Sequence, residues 1–570
     1  MANEMDKLRT AIADLRKKVE SHSTPSIRLS LARTLNEYVG HLLERGMVLE
    51  ADAPMREMVS LYQTLAAQDP DVFLPSLAAA LNNQANQLSA IGRREDALDA
   101  IERAKKLYQS LAEHNPDRFI PQLATTLNNQ ANQLSAIGRR EDALDASELA
   151  IQLYRSLATG DQKNHLADLA TSLTNHAAHL ARLGRWEQAL VASEEAVATI
   201  RAASGANPEA YLQNLAIALN NVAVQLSSLG RREEALDAIN EAVHIRRRLA
   251  EAHPESALPD LATSLNNQAN QLAYLGRREE ALDAINEAVH IRRRLAEAHP
   301  ESALPDLATS LNNQANQLAY LRRHEEALDA INEAVLIHRT LAEQHPDVFL
   351  PDLASSLSNL GITLASLGRY VEALPPSEEA IAVRRELARR YPDRYAPDLA
   401  ASLTNVALML NELDRHQDAY SLAGEAVELY RGLVAQYPDR YRAELAAALS
   451  NTALTLSELG RGIDALPAAK EAVDIYRKLV ERYPDRHLAD LASSLSNYGM
   501  ALLNQDRLQE ALTAEQDAVT IRRELAERHP ERHRQDLAAA LKNLSVVLSK
   551  LGRHQEAEQI RAEAADKASP

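Results

Sequence analysis

Apolar residues along this chain recur at three- and four-residue steps, in two kinds of stretch that alternate. Between positions 258 and 276, Leu261, Leu265, Ala269, Leu272 and Leu275 fall on one face of a helix, helix A. Between 278 and 298, Ala281, Leu282, Ile285, Ala288, Ile291, Leu295 and Ala298 make a matching stripe on a second, helix B. Gly276 divides the two, so the pair predicts a helical hairpin. Pro259 suits the first turn of helix A, where a missing N–H costs little, and it recurs at Pro75, Pro121, Pro305, Pro351 and Pro397. The residue before a proline is pushed out of the helical region, so helix B is expected to stop at His299-Pro300. Equivalent stops stand at Pro70, Pro116, Pro208, Pro254, Pro346, Pro392, Pro438, Pro484 and Pro530.

The hairpin repeats. The phrase LNNQANQL at Leu81 returns at Leu127, Leu265 and Leu311, and a relative, LTNHAAHL, begins at Leu173. The same leucine recurs every 46 residues as Leu35, Leu81, Leu127, Leu173, Leu219, Leu265, Leu311, Leu357, Leu403, Leu449, Leu495 and Leu541, which makes twelve units. Residues 233–275 are identical to 279–321, a sign of recent duplication. Neither helix can bury its stripe alone, so the units must stack, each completing its neighbour's core. The expected fold is an all-α superhelical solenoid of twelve stacked 46-residue helical hairpins.

Residues 1–24 read as an N-terminal capping helix, since 7–22 align with a lone helix B. Residues 25–552 form the array, the last unit's helix A included, and 553–570 form a closing helix and short tail. In that helix Glu558, Gln559 and Glu563 replace apolar positions, which leaves one face wet and no room for an effector domain. Segments 158–164 (ATGDQKN) and 202–207 (ASGANP) break the pattern, and a bend or softer joint is expected there.

Composition narrows the function. A net charge of -18 opposes phosphate backbones and anionic membrane surfaces unless a local basic stripe overcomes it, so neither nucleic acid nor membrane is an expected partner. With no cysteine, disulfides, thiolate zinc sites and cysteine nucleophiles are excluded. The opening segment lacks the apolar core of a signal peptide, and no later run approaches 18 continuous apolar residues, so a cytoplasmic location is expected. No Gly-rich phosphate loop or Ser/His/Asp arrangement stands out, so no catalytic residue and no cofactor are expected. His176 and His179 lie three apart without a third ligand, and no metal site is expected.

The unit resembles the tetratricopeptide repeat. Ala281-x3-Ile285 with Ala288 matches the family's helix B step, and Gly276 sits at its turn. The family's helix A pattern of Trp, Leu-Gly and Tyr is replaced by Leu265, Gln268-Ala269 and Leu272. The period exceeds the family's usual one, so the unit looks closest to the long-period variant of kinesin light chains, with longer helices and a longer connector. The resemblance implies a protein or peptide partner and a concave groove lined by helix A. Similar arrays also serve as recognition regions of bacterial NTPases and caspase-like proteases, so a regulatory subunit for a separately encoded enzyme is the alternative to a scaffold.

The groove candidates are the helix A residues that face away from the leucine stripe. They are Thr263, Asn266, Asn270 and Tyr274, with Asn82, Asn86, Asn128, Asn132, Asn220, Asn312, Asn316 and Tyr320 in other units. An amide both donates and accepts, so a ladder of amides can satisfy an extended peptide without demanding its sequence. A second series, Asn83, Asn129, Asn175, Asn221, Asn267, Asn313, Asn359, Asn405, Asn451, Asn497 and Asn543, is more regular and is expected to bridge neighbouring hairpins. The arginine after each turn, such as Arg277, is expected in a locally paired ridge with Glu280. Arg292, Arg293 and Arg294 read as a solvated face, with Arg293 spaced to pair with Glu297. His253, His299 and His345 give way to Tyr391, Tyr437 and Tyr483 later in the chain, and read as half-buried joints.

Overall fold

The computed structural model describes residues 2–44, 47–158, 165–205 and 208–568. It holds 25 α-helices and no strand among the described residues. Helix α1 (Ala2–Ser21) packs on the helix that follows it, and the remaining 24 helices pair into twelve hairpins, from α2 (Pro25–Glu44) with α3 (Asp52–Gln68) to α24 (Pro530–Lys550) with α25 (His554–Ala568).

The sixth unit shows why the sequence folds this way. Helix α12 spans Pro254–Tyr274 and α13 spans Arg278–Ala298, each 21 residues long. Pro254, not Pro259, occupies the first helical position; Pro259 lies inside the helix, which corrects the expected start. The PES segment that reads as connector is itself helical, because Pro254 presets the first turn and Glu255 complements the positive end of the helix dipole. The connector between units therefore shrinks to one extended residue, His253 or His299, and the long period goes into the helices alone. Helices α8 (Leu166–Arg182) and α10 (Leu212–Ser228) are shorter, with 17 residues each, and a 3-10 turn at Pro208–Tyr211 precedes α10. The irregular residues 159–164 and 206–207, and the bend expected at them, lie outside the described residues.

Gly276 closes the first helix at φ +80, and the N–H of Arg277 returns to the Leu272 carbonyl at 2.9 Å. The anchors Leu265, Leu311 and Leu541 are fully buried, as are Ala269, Ala281 and Ala288, whose small side chains let neighbouring helices approach closely. Neighbouring helices A, such as α12 and α14 (Pro300–Tyr320), touch more closely than neighbouring helices B do, so the array curves with helices A on its inner wall.

On the outer wall an ionic ladder joins successive helices B. Arg247 reaches Glu287 at 2.7 Å, Arg293 reaches Glu333 at 2.6 Å, and Arg339 reaches Glu379 at 2.8 Å. Arg293 thus pairs with the next unit and not with Glu297. Arg292 is not solvated either: it is buried, bound to Asp306 at 2.6 Å and to Thr263 at 2.8 Å, and ties helix B to the following helix A. Arginines after the turns pair locally, as in Arg277–Glu280 and Arg323–Glu326, both at 2.6 Å, whereas Arg185 reaches back to Glu141 of the previous unit at 2.8 Å.

The curvature is tight enough that successive superhelical turns meet. The turns at Gly92, Gly138, Gly184 and Gly230, in units two to five, sit against Asp347, Asp393, Asp439 and Asp485, which open helices A of units eight to eleven. Arg394 donates to the Ala136 carbonyl at 3.3 Å and Arg486 to the Ser228 carbonyl at 2.8 Å; both pairs lie 258 residues apart. Glu187 accepts from Arg482 at 3.1 Å and from the Tyr483 hydroxyl at 2.8 Å. Arg140 lies 4.9 Å from the centre of the Tyr437 ring, and Arg94 lies 5.6 Å from that of Tyr391. Here is the reason for the change from histidine to tyrosine: the tyrosine joints dock on the previous turn, whereas His253 and His299 are exposed.

Candidate binding groove

The inner wall is built from the stripe of helix A opposite its leucines. On α12 that stripe carries Thr263, Asn270 and Tyr274, flanked by Asn266 and Asn267. Asparagines at these two positions stitch adjacent helices together in several units. Asn266 donates to Ser310 of the next unit at 3.1 Å, Asn220 to Ser264 at 3.0 Å, Asn312 to Ser356 at 2.8 Å, and Asn128 to Ser172. The regular series points backward: Asn129 donates to Asn82 at 3.0 Å, Asn221 to the Thr174 carbonyl at 3.3 Å, and Asn497 to Ser450 at 2.9 Å. The two directions meet in one chain, Asn359 to Asn312 at 3.4 Å and Asn312 onward to Ser356.

This geometry sorts the sequence candidates. Asn128, Asn266 and Asn312 are only 7%, 9% and 8% exposed, and their amide N–H groups are engaged inside the wall. Asn82 and Asn220 are half-buried in the same position. Both asparagine series therefore lie between helices, not only the regular one. Asn86 and Asn132 are exposed, and Asn270 and Asn316 half-exposed, on the free stripe; Gln133 donates to Asn86 at 3.3 Å. Tyr274 and Tyr320 are 50% and 58% exposed, with Arg232 and Arg278 each 5.9 Å from the ring centre. Thr263 is on the exposed stripe, yet its hydroxyl donates to the Pro259 carbonyl and accepts from Arg292.

Apolar side chains on the same stripe went unnoticed in the sequence. Ile217, Val224, Ile362 and Val546 are exposed there, Val224, Ile362 and Val546 in the register of Asn270 and Ile217 in that of Thr263. That register, 46 residues per step, is the signal that finds them. The inner wall thus mixes amides, two tyrosines and aliphatic groups, the combination that suits peptide backbone and side chains together.

His176 and His179 lie within the helical packing. The His176 ring bonds Ser147 at 2.8 Å, and burial, helped by Arg155, pushes its pKa down to about 4. Burial, helped by Arg182 and His176, pushes His179 down to about 3. Both rings are neutral near pH 7, and among the described residues no group of three or more His, Cys, Asp or Glu is placed to hold a metal ion. One helix, Pro346–Ser366, is long and apolar enough by composition to cross a membrane; it is helix A of the eighth unit, packed within the array.

Stacked hairpins with an accessible inner wall define a helical-repeat solenoid. More specifically, the chain is a tetratricopeptide-repeat protein: one tetratricopeptide family model matches residues 306–386, and a second matches 215–255, 445–487 and 491–531. A model described as anaphase-promoting complex subunit 5 matches residues 139–207 and 253–298. No curated protein matches the sequence. Similar solved structures include BtubC (BKLC) from P. vanneervenii, at 21% identity over 43% of this chain and 90% of that one, TM-score 0.35. A Rap protein complexed with competence and sporulation factor aligns at 15% identity over 71% of this chain and 99% of that one, TM-score 0.44. Yeast Tom70 aligns at 14% identity over 98% and 96%, TM-score 0.38.

Proposed function

We propose that this protein is a non-catalytic interaction scaffold that holds an extended peptide or a helix of a partner protein along the inner wall. The observation that carries the reading is the free stripe of helix A. Unit after unit it presents exposed side chains in one register, while the residues beside it are consumed in holding the wall together. Tyr274 and Tyr320 stand in equivalent places in adjacent units and offer flat apolar contact with a polar tip. Neighbouring units add their contributions, so affinity grows with the number of units engaged. The test is a peptide array or display library probed with the wild type and with Tyr274→Ala/Tyr320→Ala. Binding peptides that lose affinity in the double variant, with its melting temperature unchanged, support the groove. Unchanged binding overturns it.

A further inference from the structure

Where the superhelical turns stack, they line a half-open cavity of about 510 Å³. Its walls are the ends of helices A in units three to five, the first residues of helices B in units three and four, and the beginnings of helices A in units eight to ten, with part of the eighth unit's helix B. Five guanidinium groups line it. Arg140 and Arg182 come from the earlier turn, and Arg384, Arg394 and Arg440 from the later one; Asp352 and Asp398 are the carboxylates in the lining. Positive charge is therefore in excess, although the chain as a whole is acidic. At physiological salt the distant acidic surface is screened beyond about 8 Å, so the local excess decides what enters.

Some of these donors are in use. Arg182 donates to Ser135, Arg440 pairs with Glu444 at 3.2 Å, and Arg384 donates to Ser358 at 2.9 Å and to the Asp398 carbonyl at 3.3 Å. Others are not. Nη1 of Arg140, Nε of Arg394 and the hydroxyl of Tyr395 are buried without a partner, and Tyr395 as a whole is only 3% exposed. These three atoms lie within the wall and out of reach of the cavity, so it is the excess of guanidinium charge along the lining that calls for an acceptor. Burial, with the charges of Arg394 and Arg140, also pushes the pKa of Arg182 down, so the guanidiniums repel one another. An oxyanion in the cavity relieves that repulsion. The planar fork of arginine matches phosphoryl oxygens in particular.

We propose that this cavity binds a small anion with two or more linked phosphoryl groups, held between successive superhelical turns by Arg140, Arg182 and Arg394. A single phosphate is too small to span it; the volume falls within the range of about 300–1,000 Å³ typical of small-molecule sites. Because the arginines belong to two turns, the bound anion bridges them and holds the coil closed. Val224, Ser355 and Arg182 of the lining stand in the register of Asn270, Thr263 and Tyr274, so the cavity interrupts the helix A stripe where the turns stack, and anion binding there is read without any peptide.

The chain carries its own reporter, since Trp186, the only tryptophan, is in the cavity wall. The full chain is titrated with pyrophosphate, tripolyphosphate and ATP at constant ionic strength, with tryptophan emission and calorimetric heat as readouts. The expected result is saturable binding with a raised melting temperature, weakened at least ten-fold in Arg182→Gln and in Arg394→Gln. Tighter binding of ATP than of tripolyphosphate assigns the site to a nucleotide, and the reverse to a free oligophosphate. If Arg394→Gln disturbs the seam, Arg182→Gln, whose hydrogen bond to Ser135 stays within its own turn, keeps the test decisive. No heat and no emission change at millimolar concentration, or undiminished affinity in Arg182→Gln, overturns the proposal.

Discussion

Replacing Gly184 by alanine separates the cost of a left-handed turn from the cost of prising two superhelical turns apart. Gly184 has φ +78, and a Cβ there would stand 2.7 Å from the Asp439 carbonyl oxygen and 2.8 Å from the Arg440 Cα, well inside ordinary contact at 3.4–4 Å. Both neighbours are backbone, so the obstacle cannot rotate away. Gly460 has nearly the same conformation, φ +69, with nothing within 4 Å of the added atom. Gly460→Ala should therefore lose only the conformational term, about 1–2 kcal/mol. Gly184→Ala should lose that and a further amount on the order of 1–3 kcal/mol, the usual penalty for overfilling a packed site. Urea denaturation gives the energies, and small-angle scattering gives the radius of gyration. The radius should grow for Gly184→Ala and stay at the wild-type value for Gly460→Ala. Equal destabilisation with equal compactness in the two variants would refute the stacked-turn reasoning.

Other predictions concern single residues. Asn312→Ala removes the middle of the Asn359–Asn312–Ser356 chain and should cost about 1–3 kcal/mol in thermal melts, with peptide affinity retained; Tyr320→Ala should do the reverse, lowering affinity while stability stays within about 0.5 kcal/mol. Glu515 is fully buried where other units place Ile239 or Ile285, and Gly499 leaves room for it: a Cβ at Gly499 would lie 2.7 Å from its Oε1. Burial pushes its carboxyl up to about 8 from an ordinary 4.5, against a bond from Ser496. Between those values the unfolded chain is ionised and the folded chain protonated, so stability should fall as pH rises through that window, by about 1.4 kcal/mol per unit. Denaturant melts of Glu515→Gln across the window should lack that slope; a slope equal to the wild type's contradicts the assignment. Asp506→Gly relieves a left-handed aspartate at φ 57 and should raise stability by about 1 kcal/mol, read from the melting midpoint.

The leucine anchors and the Gly276 turn made the hairpin legible in the sequence, because burial on one helix face leaves a period that any reader can count. Helix starts were less legible: Pro254 and Pro259 are both acceptable near a helix start, and only the packed unit selects the earlier one. The two asparagine series illustrate a second limit. Adjacent positions on one helix face different neighbours, and sequence alone does not say that Asn266 reaches forward to a serine 44 residues on. The seam was written in the change from HPESA at His253 and His299 to YPDRY at Tyr391 and Tyr437. Its meaning depends on how many units complete a superhelical turn, which follows from the accumulated angles of many helix contacts and from no single motif.

The turns of the coil close on one another, and the arginine cavity exists only because they do. Because the chain has no cysteine, labels can be placed without background. Spin labels at Gln188→Cys and Asp439→Cys, which line one small cleft across the seam, report the closure by pulsed electron spin resonance. A single narrow population at short separation is the predicted result. A broad or long distribution, as in an open coil, would contradict it.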